Sequence, residues 1–579
     1  MPDGEKLACI GIVLGEQDTT PYHWSRVLCD VQIGADADDM QDVLKKLHSG
    51  AASVFYAQET RMYHVGIAFA GDLFQLAYYD RAGCVLSGTH NIHSNPALLV
   101  RAIMGLSFLD DSYLGKDPSI VPRDGHNYIT VAGVEYEILK TLARSGDILS
   151  KGTICWRCCK PDSKEHFVIK SKWTSMDRPA TEADFLRRAS GMDGLVQLVC
   201  EEQVLRCDGR PQDTLWLRDT LQGPERLAIL RNHPRMQLRR LVLQPCGRPL
   251  EDFVSKDELV SGFNDSIRAH HILYEKWSIL HCDISDNNVM LRDPSDPSGY
   301  RGLLVDLDCA VLVEGLDRLG PRGYNKGTPP FMACSLLNPY RHDPRGPWHD
   351  LESFLHVLMY ICATCSGPSN MLREDFAIED SPMGPWFTGD YKTKTRIMYD
   401  YDDDQFRAFL DEVFDPYFDD LKDLVIDLRR VITRDPPFQP NHYVVLEVFE
   451  QYMDARAAAR EREASVVPQR EDSPSAGPPT GSKRKHTSRD ESPPPPSGHK
   501  EDGAVSARSS QSSSSRASDD LHDTSPPSDD SERTMVTSQD GSEKAPGEEV
   551  SKECLETMKP ESELSPRPIP HPLKRRRVE

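Results

Sequence analysis

The sequence predicts an α+β fold that consists of a small N-terminal unit, a larger two-lobed domain and a disordered tail. Short strand-like runs separated by glycine turns lie within residues 1–145, and residues 146–456 pass from strand patterns to mainly helical ones. The remaining segment, residues 457–579, contains no Phe, Trp or Tyr. Such a segment cannot bury enough apolar surface to offset the entropy of ordering it.

The N-terminal unit contains a predicted antiparallel meander. The runs MYHVGIAF, LFQLAYYD and CVLSGTHNI are separated by turns at Gly71-Asp72 and Ala82-Gly83. Apolar, β-branched and aromatic residues between glycine-containing turns are typical of paired strands. The flanking stretches DDMQDVLKKLHS and PALLVRAIMGLSFL predict helices. We identify no catalytic group in this unit.

The next segment contains residues suited to holding nucleotide phosphates. LSKGTICW offers Gly152 ahead of a strand, and HFVIKSKW predicts a strand that carries Lys170. In RPATEADFLRRAS, Thr181 is a favourable N-cap for a helix that would present Glu182 toward that lysine. A strand lysine held by a helix glutamate binds the α- and β-phosphates in protein kinases. The same local sequence would also fit a surface lysine and a glutamate in the first turn of a helix that do not contact each other.

The motif H-x-D-x-x-x-x-N carries the main catalytic prediction. SILHCDISDNNVML places His281, Asp283 and Asn288 at this spacing within an apolar frame. In phosphoryl transfer a carboxylate orients the acceptor hydroxyl and an asparagine binds metal. The apolar strand in LLVDLDCA then delivers Asp306, which we predict to bind Mg²⁺ together with Asn288. Alone, H-x-D-x-x-x-x-N would also fit a turn with a buried histidine. The presence of Asp306 on an apolar strand further along the chain favours phosphoryl transfer over that alternative.

Two patterns follow the predicted metal site. GTPPFMA, from Gly327 to Ala333, resembles the end of a kinase activation segment. HDLESFLHVLMYI places Asp350 at the start of a strongly apolar helix, from which we expect it to brace the backbone of the catalytic loop. The same pattern would also fit an Asp350 carboxylate that is stabilised only by the dipole of its helix.

Composition argues against two classes of partner. The net charge is −23, and residues 461–579 carry 18 basic and 23 acidic residues, so the rest of the chain has a net charge of −18. Nucleic-acid-binding domains usually carry a basic face, so we expect no direct nucleic-acid contact. No apolar run is long enough to cross a bilayer, and no secretion signal opens the sequence. We therefore expect an intracellular protein that does not bind membranes.

The tail contains two basic clusters. They are Lys483-Arg484-Lys485 and Lys574-Arg575-Arg576-Arg577. Ordinary solvated charge would account for both, but clusters of this kind also act as nuclear localisation signals. We predict that the second cluster binds a nuclear import receptor and that the protein is nuclear or nucleo-cytoplasmic.

Taken together, these segments resemble the fungal-type protein kinase family, a divergent relative of the eukaryotic protein kinases. The resemblance covers most of residues 50–365 and rests on the ordered segments YAQETRMYHVGIAF, LAYYDRAGCVLS, YLGKDPSIV, KGTICW, VIKSKW, HCDISDNN, VDLDCA, GTPPFMA and HDLES. It implies an ATP- and Mg²⁺-dependent kinase that phosphorylates Ser and Thr hydroxyls of protein substrates. Catalysis would then depend on Asp283, Asn288 and Lys170.

The sequence also departs from the usual kinase motifs. Cys282 replaces the arginine of H-R-D, Asp308 stands where D-F-G has glycine, and Ser335 stands where A-P-E has glutamate. Two alternatives therefore stay open. One is a pseudokinase scaffold without turnover, and the other is a small-molecule phosphotransferase of the aminoglycoside or choline kinase type. GTPPFMA favours a protein substrate, and the retained site residues favour turnover.

Overall fold

The computed structural model of the chain describes residues 8–13, 23–108, 111–206, 208–221, 233–314, 326–340, 344–433 and 439–465. Both basic clusters and nearly all of the predicted tail lie outside these ranges, so the predictions of disorder and nuclear import stay predictions. Within the parts of the chain that the structure describes, none of the helices combines the length and apolar composition that crossing a bilayer requires.

The strands of the described residues are β1 (Ala8–Val13), β2 (Val27–Gly34), β3 (His64–Ala70), β4 (Leu73–Asp80), β5 (Gly83–Leu86), β6 (His90–Asn91), β7 (Ile120–Arg123), β8 (His126–Val131), β9 (Val134–Arg144), β10 (Ile154–Cys159), β11 (His166–Ser175), β12 (Gln197–Gln203), β13 (Met236–Gln244), β14 (Ile279–Leu280), β15 (Val289–Leu291), β16 (Gly302–Leu304), β17 (Val311–Leu312), β18 (Cys365–Gly367) and β19 (Met371–Leu372). The α-helices are α1 (Met40–Ala57), α2 (Pro96–Phe108), α3 (Glu182–Arg188), α4 (Leu215–Arg218), α5 (Lys256–Trp277), α6 (Cys334–Leu337), α7 (Pro347–Thr364), α8 (Pro385–Thr388), α9 (Tyr391–Thr395), α10 (Asp403–Val413), α11 (Lys422–Ile432) and α12 (His442–Ser465).

The N-terminal unit is built around a mixed sheet with the order β1-β2-β3-β4-β5, and β6 pairs with β4. The predicted meander is confirmed as β3, β4 and β5, and the two predicted helices are α1 and α2. Strands β2 and β3 are parallel, and α1 makes the crossover that such a pair requires. Its buried residues recur every three or four positions, which places one apolar face of α1 against the sheet.

A second, antiparallel sheet forms the smaller lobe of the larger domain, with the order β12-β13-β11-β10-β9-β8-β7. This sheet continues across the predicted domain boundary between residues 145 and 146. Arg144 at the end of β9 pairs with Ile154 in β10, so residues 120–144 belong with the lobe that follows them. Local alternation marks a strand, but it does not specify the partner of that strand.

The second lobe is mainly helical and is organised around α7. Every residue of this helix from His349 to Thr364 is buried, as expected for a helix that is apolar on nearly all sides. Helix α5 packs against α7 and α12 within the same core. Helix α12 continues to Ser465, past the predicted boundary at residue 456. The predicted α+β fold class is confirmed.

Candidate active site

Lys170 on β11 and Glu182 at the start of α3 form the predicted ion pair. The Lys170 Nζ atom lies 3.1 Å from Glu182 Oε1 and 3.0 Å from Oε2. The position of Glu182 follows from the helix start, because Thr181 is the N-cap and its hydroxyl accepts a hydrogen bond from the backbone N–H of Asp184 at 3.4 Å. Both members of the pair are buried.

Lys170 also contacts the predicted metal ligand. Its Nζ atom lies 2.8 Å from Asp306 Oδ1. Burial favours the neutral form of Lys170, but the Asp306 and Glu182 carboxylates outweigh burial and raise the pKa of Lys170 well above its ordinary value. Burial also opposes the charge of Asp306, and nearby Lys170 and Lys172 lower the pKa of Asp306 below its ordinary value. Lys170 and Asp306 are therefore both charged at neutral pH.

A second lysine, absent from the residues predicted from sequence, also belongs to this cluster. Lys172 lies two residues beyond Lys170 on β11, so both side chains project from the same face of the strand. Its Nζ atom lies 2.5 Å from Glu182 Oε2 and 2.7 Å from Asp308 Oδ1. The two-residue spacing in VIKSKW is the signal that could have identified it.

Asp308, the unusual acid in the place of the D-F-G glycine, is surrounded by cations. Lys172 and Lys151 both form ion pairs with its carboxylate, and Arg178 Nη1 lies 2.9 Å from Oδ1. Burial opposes its ionisation, but Lys172 and Lys151 outweigh burial and hold the pKa of Asp308 far below its ordinary value. The added negative charge is thus balanced within the site.

The catalytic loop lies between β14 and β15 and is held by its own side chains. His281 Nε2 donates to the carbonyl of Val305 at 3.0 Å, and His281 Nδ1 accepts the backbone N–H of Asp283 at 3.3 Å. Asn288 Nδ2 donates to the backbone carbonyl of Asp283 at 2.8 Å. The buried histidine thus orients the loop that carries Asp283.

A hydroxyl group already contacts the Asp283 carboxylate. Thr328, in the GTPPFMA segment, donates from Oγ1 to Asp283 Oδ1 at 2.7 Å. This residue was absent from the predicted site, although its segment was recognised. The contact demonstrates that Asp283 can accept a hydrogen bond from an aliphatic hydroxyl of the Ser/Thr type.

Asp350 braces the catalytic loop, as the sequence predicted. Its Oδ2 atom accepts hydrogen bonds from the Cys282 backbone N–H at 2.8 Å and from His270 Nε2 at 3.0 Å. Arg345, which sequence analysis missed, donates from Nη2 to Asp350 Oδ1 at 3.1 Å and to the Cys282 carbonyl at 2.7 Å. Its Nη1 atom donates to the Lys326 carbonyl at 2.6 Å. A buried arginine therefore joins the predicted catalytic loop to Lys326, which immediately precedes the GTPPFMA segment.

The end of that segment is held by a separate buried cluster. Cys334, Glu352 and His356 place possible metal-ligand atoms within 4.8 Å of one another. Trp386 donates to His356 Nδ1 at 3.0 Å, however, so the ring proton is on Nε2 and faces Glu352. That tautomer has no lone pair for a metal. Glu352 instead accepts the Cys334 backbone N–H at 2.8 Å and thereby anchors the segment.

The predicted phosphate loop lies between β9 and β10. Gly152 is buried at φ +50°, and its N–H donates to Ser150 Oγ at 3.1 Å. The backbone carbonyl of Lys151 accepts the N–H of Trp173 at 2.7 Å, which links the loop to β11. The loop is thus adjacent to the strand that carries Lys170.

Asp306 and Asn288 fit a magnesium ion by their donor chemistry. The side-chain N–H of Asn288 donates a hydrogen bond to the Asp283 carbonyl, and its side-chain carbonyl oxygen is therefore available as a metal ligand. The Asp306 side chain is 32% exposed, so its carboxylate is accessible to solvent. Oxygen donors of this type are those that Mg²⁺ prefers. Asp306 also has a left-handed backbone conformation, with φ +65°, a type of strain that clusters at functional sites.

Comparison with known proteins identifies the family of the chain. The family model described as fungal protein kinase matches residues 11–362. Among solved structures, the chain is similar to the PK-1 kinase of Cydia pomonella granulovirus, with 14% sequence identity and a TM-score of 0.32. That similarity covers 54% of this chain and 92% of the viral chain. No curated protein matches the sequence.

Proposed function

Because the chain belongs to the fungal protein kinase family, we propose that it is an ATP- and Mg²⁺-dependent kinase that phosphorylates Ser and Thr hydroxyls of proteins. One observation carries the proposal. Lys170 lies 3.0 Å from Glu182 and 2.8 Å from Asp306, so the lysine and the two carboxylates that kinase catalysis requires are in contact. Both the lysine–glutamate pair and the metal-binding aspartate must be in place before a kinase is active.

Each predicted residue has a chemical role in this proposal. Lys170 binds the α- and β-phosphates, and the loop at Gly152 covers them. Asn288 and Asp306 hold Mg²⁺, which neutralises charge on the phosphate oxygens when it is bound. Asp283 orients the acceptor hydroxyl and takes its proton as the hydroxyl oxygen bonds to the γ-phosphorus. The bond from that phosphorus to the bridging oxygen breaks, and ADP leaves.

The surroundings of Asp283 support a protein substrate. Thr328 places an aliphatic hydroxyl 2.7 Å from the Asp283 carboxylate, which is the chemistry expected of a Ser or Thr acceptor. The segment from Gly327 to Ala333 lies beside the predicted catalytic loop through this contact. A peptide-binding segment at this position favours a protein kinase over a small-molecule phosphotransferase.

The decisive experiment compares the wild-type protein with Asp283→Asn. Purified protein is incubated with Mg²⁺, labelled ATP and generic basic or acidic protein substrates. The substitution retains size but removes the charge, so we expect transfer to fall by roughly 10²-fold or more. Affinity for Mg-ATP should change little, because the partner of Asp283 is the acceptor hydroxyl. Asp293→Asn, which alters an exposed carboxylate in the next loop, is the matched control.

Three results would contradict the proposal in different ways. Equal transfer by Asp283→Asn would remove the catalytic assignment. Mg-ATP binding without transfer by the wild-type protein would favour the pseudokinase scaffold. Transfer to aminoglycosides or choline, but to no protein, would favour a small-molecule phosphotransferase.

A further inference from the structure

The loop between β9 and β10 is held by the N-terminal unit. Arg81, in the turn between β4 and β5, donates from Nη1 to the Asp147 carbonyl at 2.5 Å. A Cβ atom added at Gly152 would lie 2.5 Å from Arg81 Nε and 2.7 Å from Cζ. The guanidinium therefore contacts both arms of the loop that we assign to the nucleotide phosphates.

Apolar contacts reinforce this attachment. Ile148, at the middle of the loop, packs against the core cluster of the N-terminal unit, which includes Leu47, Phe55 and Tyr79. The Tyr56 side chain lies directly against Gly146, since a Cβ at that glycine would be 2.6 Å from Tyr56 Cδ2. The loop is thus docked on the N-terminal unit along most of its length.

Arg81 itself has a fixed position. It is 3% exposed, and its Cζ atom lies 4.5 Å from the centre of the Phe55 ring. The preceding residue, Asp80, forms a buried ion pair with Arg218, with a 2.9 Å contact between Oδ1 and Nη2. The turn that presents Arg81 is therefore anchored to the larger domain.

Burying this arginine is costly for folding. Its Nε atom is buried and has no hydrogen-bond partner in the part of the chain that the structure describes. An apolar side chain of similar length would avoid that cost. The cation is nevertheless retained beside a loop that would face a negatively charged nucleotide.

The opposite side of the loop is also restrained by an ion pair. Lys151, adjacent to Gly152, forms an ion pair with Asp308, two residues beyond the metal ligand Asp306. The loop therefore lies between the N-terminal unit and the metal-binding segment. A loop that is ordered before the ligand binds loses less entropy on binding.

We propose that Arg81 is a positioning residue for nucleotide binding, through which the N-terminal unit sets the conformation of the phosphate loop. The role rests on the proposed kinase function and deepens it by giving the N-terminal unit a part in the nucleotide site. Arg81 acts on the nucleotide through residues 147 and 152 and does not take part in the transfer.

The test compares Arg81→Met and Arg81→Lys with the wild-type protein. Methionine retains most of the length but removes the charge and the donors. We expect the Kd and the KM for Mg-ATP to rise about tenfold, a free-energy change of about 1.4 kcal/mol. The kcat at saturating ATP and the KM for the protein substrate should stay within about twofold. Lysine retains the charge but has a single donor nitrogen, so the rise in the Kd and the KM for Mg-ATP should be intermediate.

Arg61→Met is the matched control. Arg61 is equally buried in the N-terminal unit, where it donates to Gln58 Oε1 at 3.1 Å and to the carbonyls of Val27 at 2.7 Å and Leu28 at 3.4 Å. We expect it to lower the melting temperature without changing the Kd for Mg-ATP. A merely structural role for Arg81 would give that same result and would overturn the proposal.

Gly152→Ala provides an independent variant if Arg81→Met does not fold. Its methyl group would meet the Arg81 guanidinium at a backbone φ of +50°, so we expect a comparable rise in the Kd for Mg-ATP. An unchanged Kd would overturn the proposal. If the wild-type protein itself fails to bind Mg-ATP, the proposed kinase function fails, whereas binding that is unaffected by these variants removes only the role of Arg81.

Discussion

At Asp308, a single change from the usual motif reorganises its surroundings. A carboxylate replaces a glycine, and Lys151, Lys172 and Arg178 provide the compensating charge. Lys172 is the most deeply placed of the three, with 2% of its side chain exposed. It also contacts Glu182, so it connects the Asp308 cluster to the predicted nucleotide-binding pair.

We predict that Lys172→Met strongly destabilises the protein at pH 7. The substitution leaves Asp308 and Glu182 buried with one cation fewer, and breaking a buried ion pair in this way costs about 3–5 kcal/mol. The free energy of unfolding should therefore fall by an amount in that range in denaturant titrations. Lys151→Met is the control, because the Lys151 side chain is 49% exposed and exposed pairs contribute about 0–1 kcal/mol.

A double variant tests the assigned partner. The double variant Lys172→Met, Asp308→Asn removes one of the carboxylate charges that Lys172→Met alone leaves unpaired. Its loss in the free energy of unfolding should therefore be smaller than the sum of the losses in the two single variants. Strict additivity would show that Lys172 and Asp308 do not interact.

At the scale of elements, the catalytic loop and the GTPPFMA segment are joined without the arginine of H-R-D. Cys282 occupies its place, and Arg345, two residues before the start of α7, donates to the carbonyls of Cys282 and Lys326. These contacts use backbone oxygens and the Asp350 carboxylate. The connection between the two elements therefore does not depend on a phosphate group.

We predict that kinase activity requires Arg345 but not phosphorylation of the activation segment. Arg345→Lys retains the charge but loses the planar fork, so kcat should fall at least tenfold while the Kd for Mg-ATP changes little. Prior treatment of the wild-type protein with a phosphatase should leave transfer unchanged. Arg396→Lys, at an exposed position, is the control. Loss of activity after phosphatase treatment would contradict this prediction.

At the scale of the whole molecule, the N-terminal unit and the larger domain share buried polar contacts. Besides the Asp80–Arg218 pair, Asp117 forms a buried ion pair with Arg240 on β13. Trp216 donates to the Tyr78 hydroxyl at 3.0 Å. Separation of the two parts would expose charged groups that are paired only in the assembled fold, so we expect them to fold together.

Several buried histidines should make the stability of the molecule depend on pH. Burial lowers the pKa of His64 to about 3 and that of both His349 and His356 to about 4, from an ordinary value of 6.5. Below pH 6.5 the unfolded chain binds protons that the native protein does not, so the free energy of unfolding falls as the pH decreases. Each histidine contributes about 1.4 kcal/mol per pH unit in the steep part of this range.

His64→Gln tests this dependence. Neither ring nitrogen of His64 has a hydrogen-bond partner among the described residues, so its protonation in the native state is especially unfavourable. Between about pH 6 and pH 4, where the unfolded chain binds this proton and the native protein does not, the slope of stability against pH should decrease by up to about 1.4 kcal/mol per pH unit in the variant. His93→Gln is the control, because the His93 side chain is 72% exposed. Equal slopes in the wild-type protein and His64→Gln would contradict the prediction.

The local features of this protein could be predicted from the sequence alone. The meander, the Thr181 helix cap and the spacing of His281, Asp283 and Asn288 all depend on residues close together along the chain. Periodicity, turn chemistry and motif spacing express such features directly. The fold class and most of the candidate site were therefore predictable, including the contact between Lys170 and Glu182.

Which distant groups meet depends on how the elements pack. Strand β9 pairs with β10 across the predicted boundary, and Arg81 lies against Gly152, Thr328 against Asp283 and Arg345 against Cys282. The secondary-structure propensity of a residue does not depend on which strand or side chain contacts it in the fold, so propensity cannot predict these contacts. These contacts follow from how the sheets and helices pack, because packing brings charges and hydrogen-bonding groups from remote parts of the chain into one low-dielectric site.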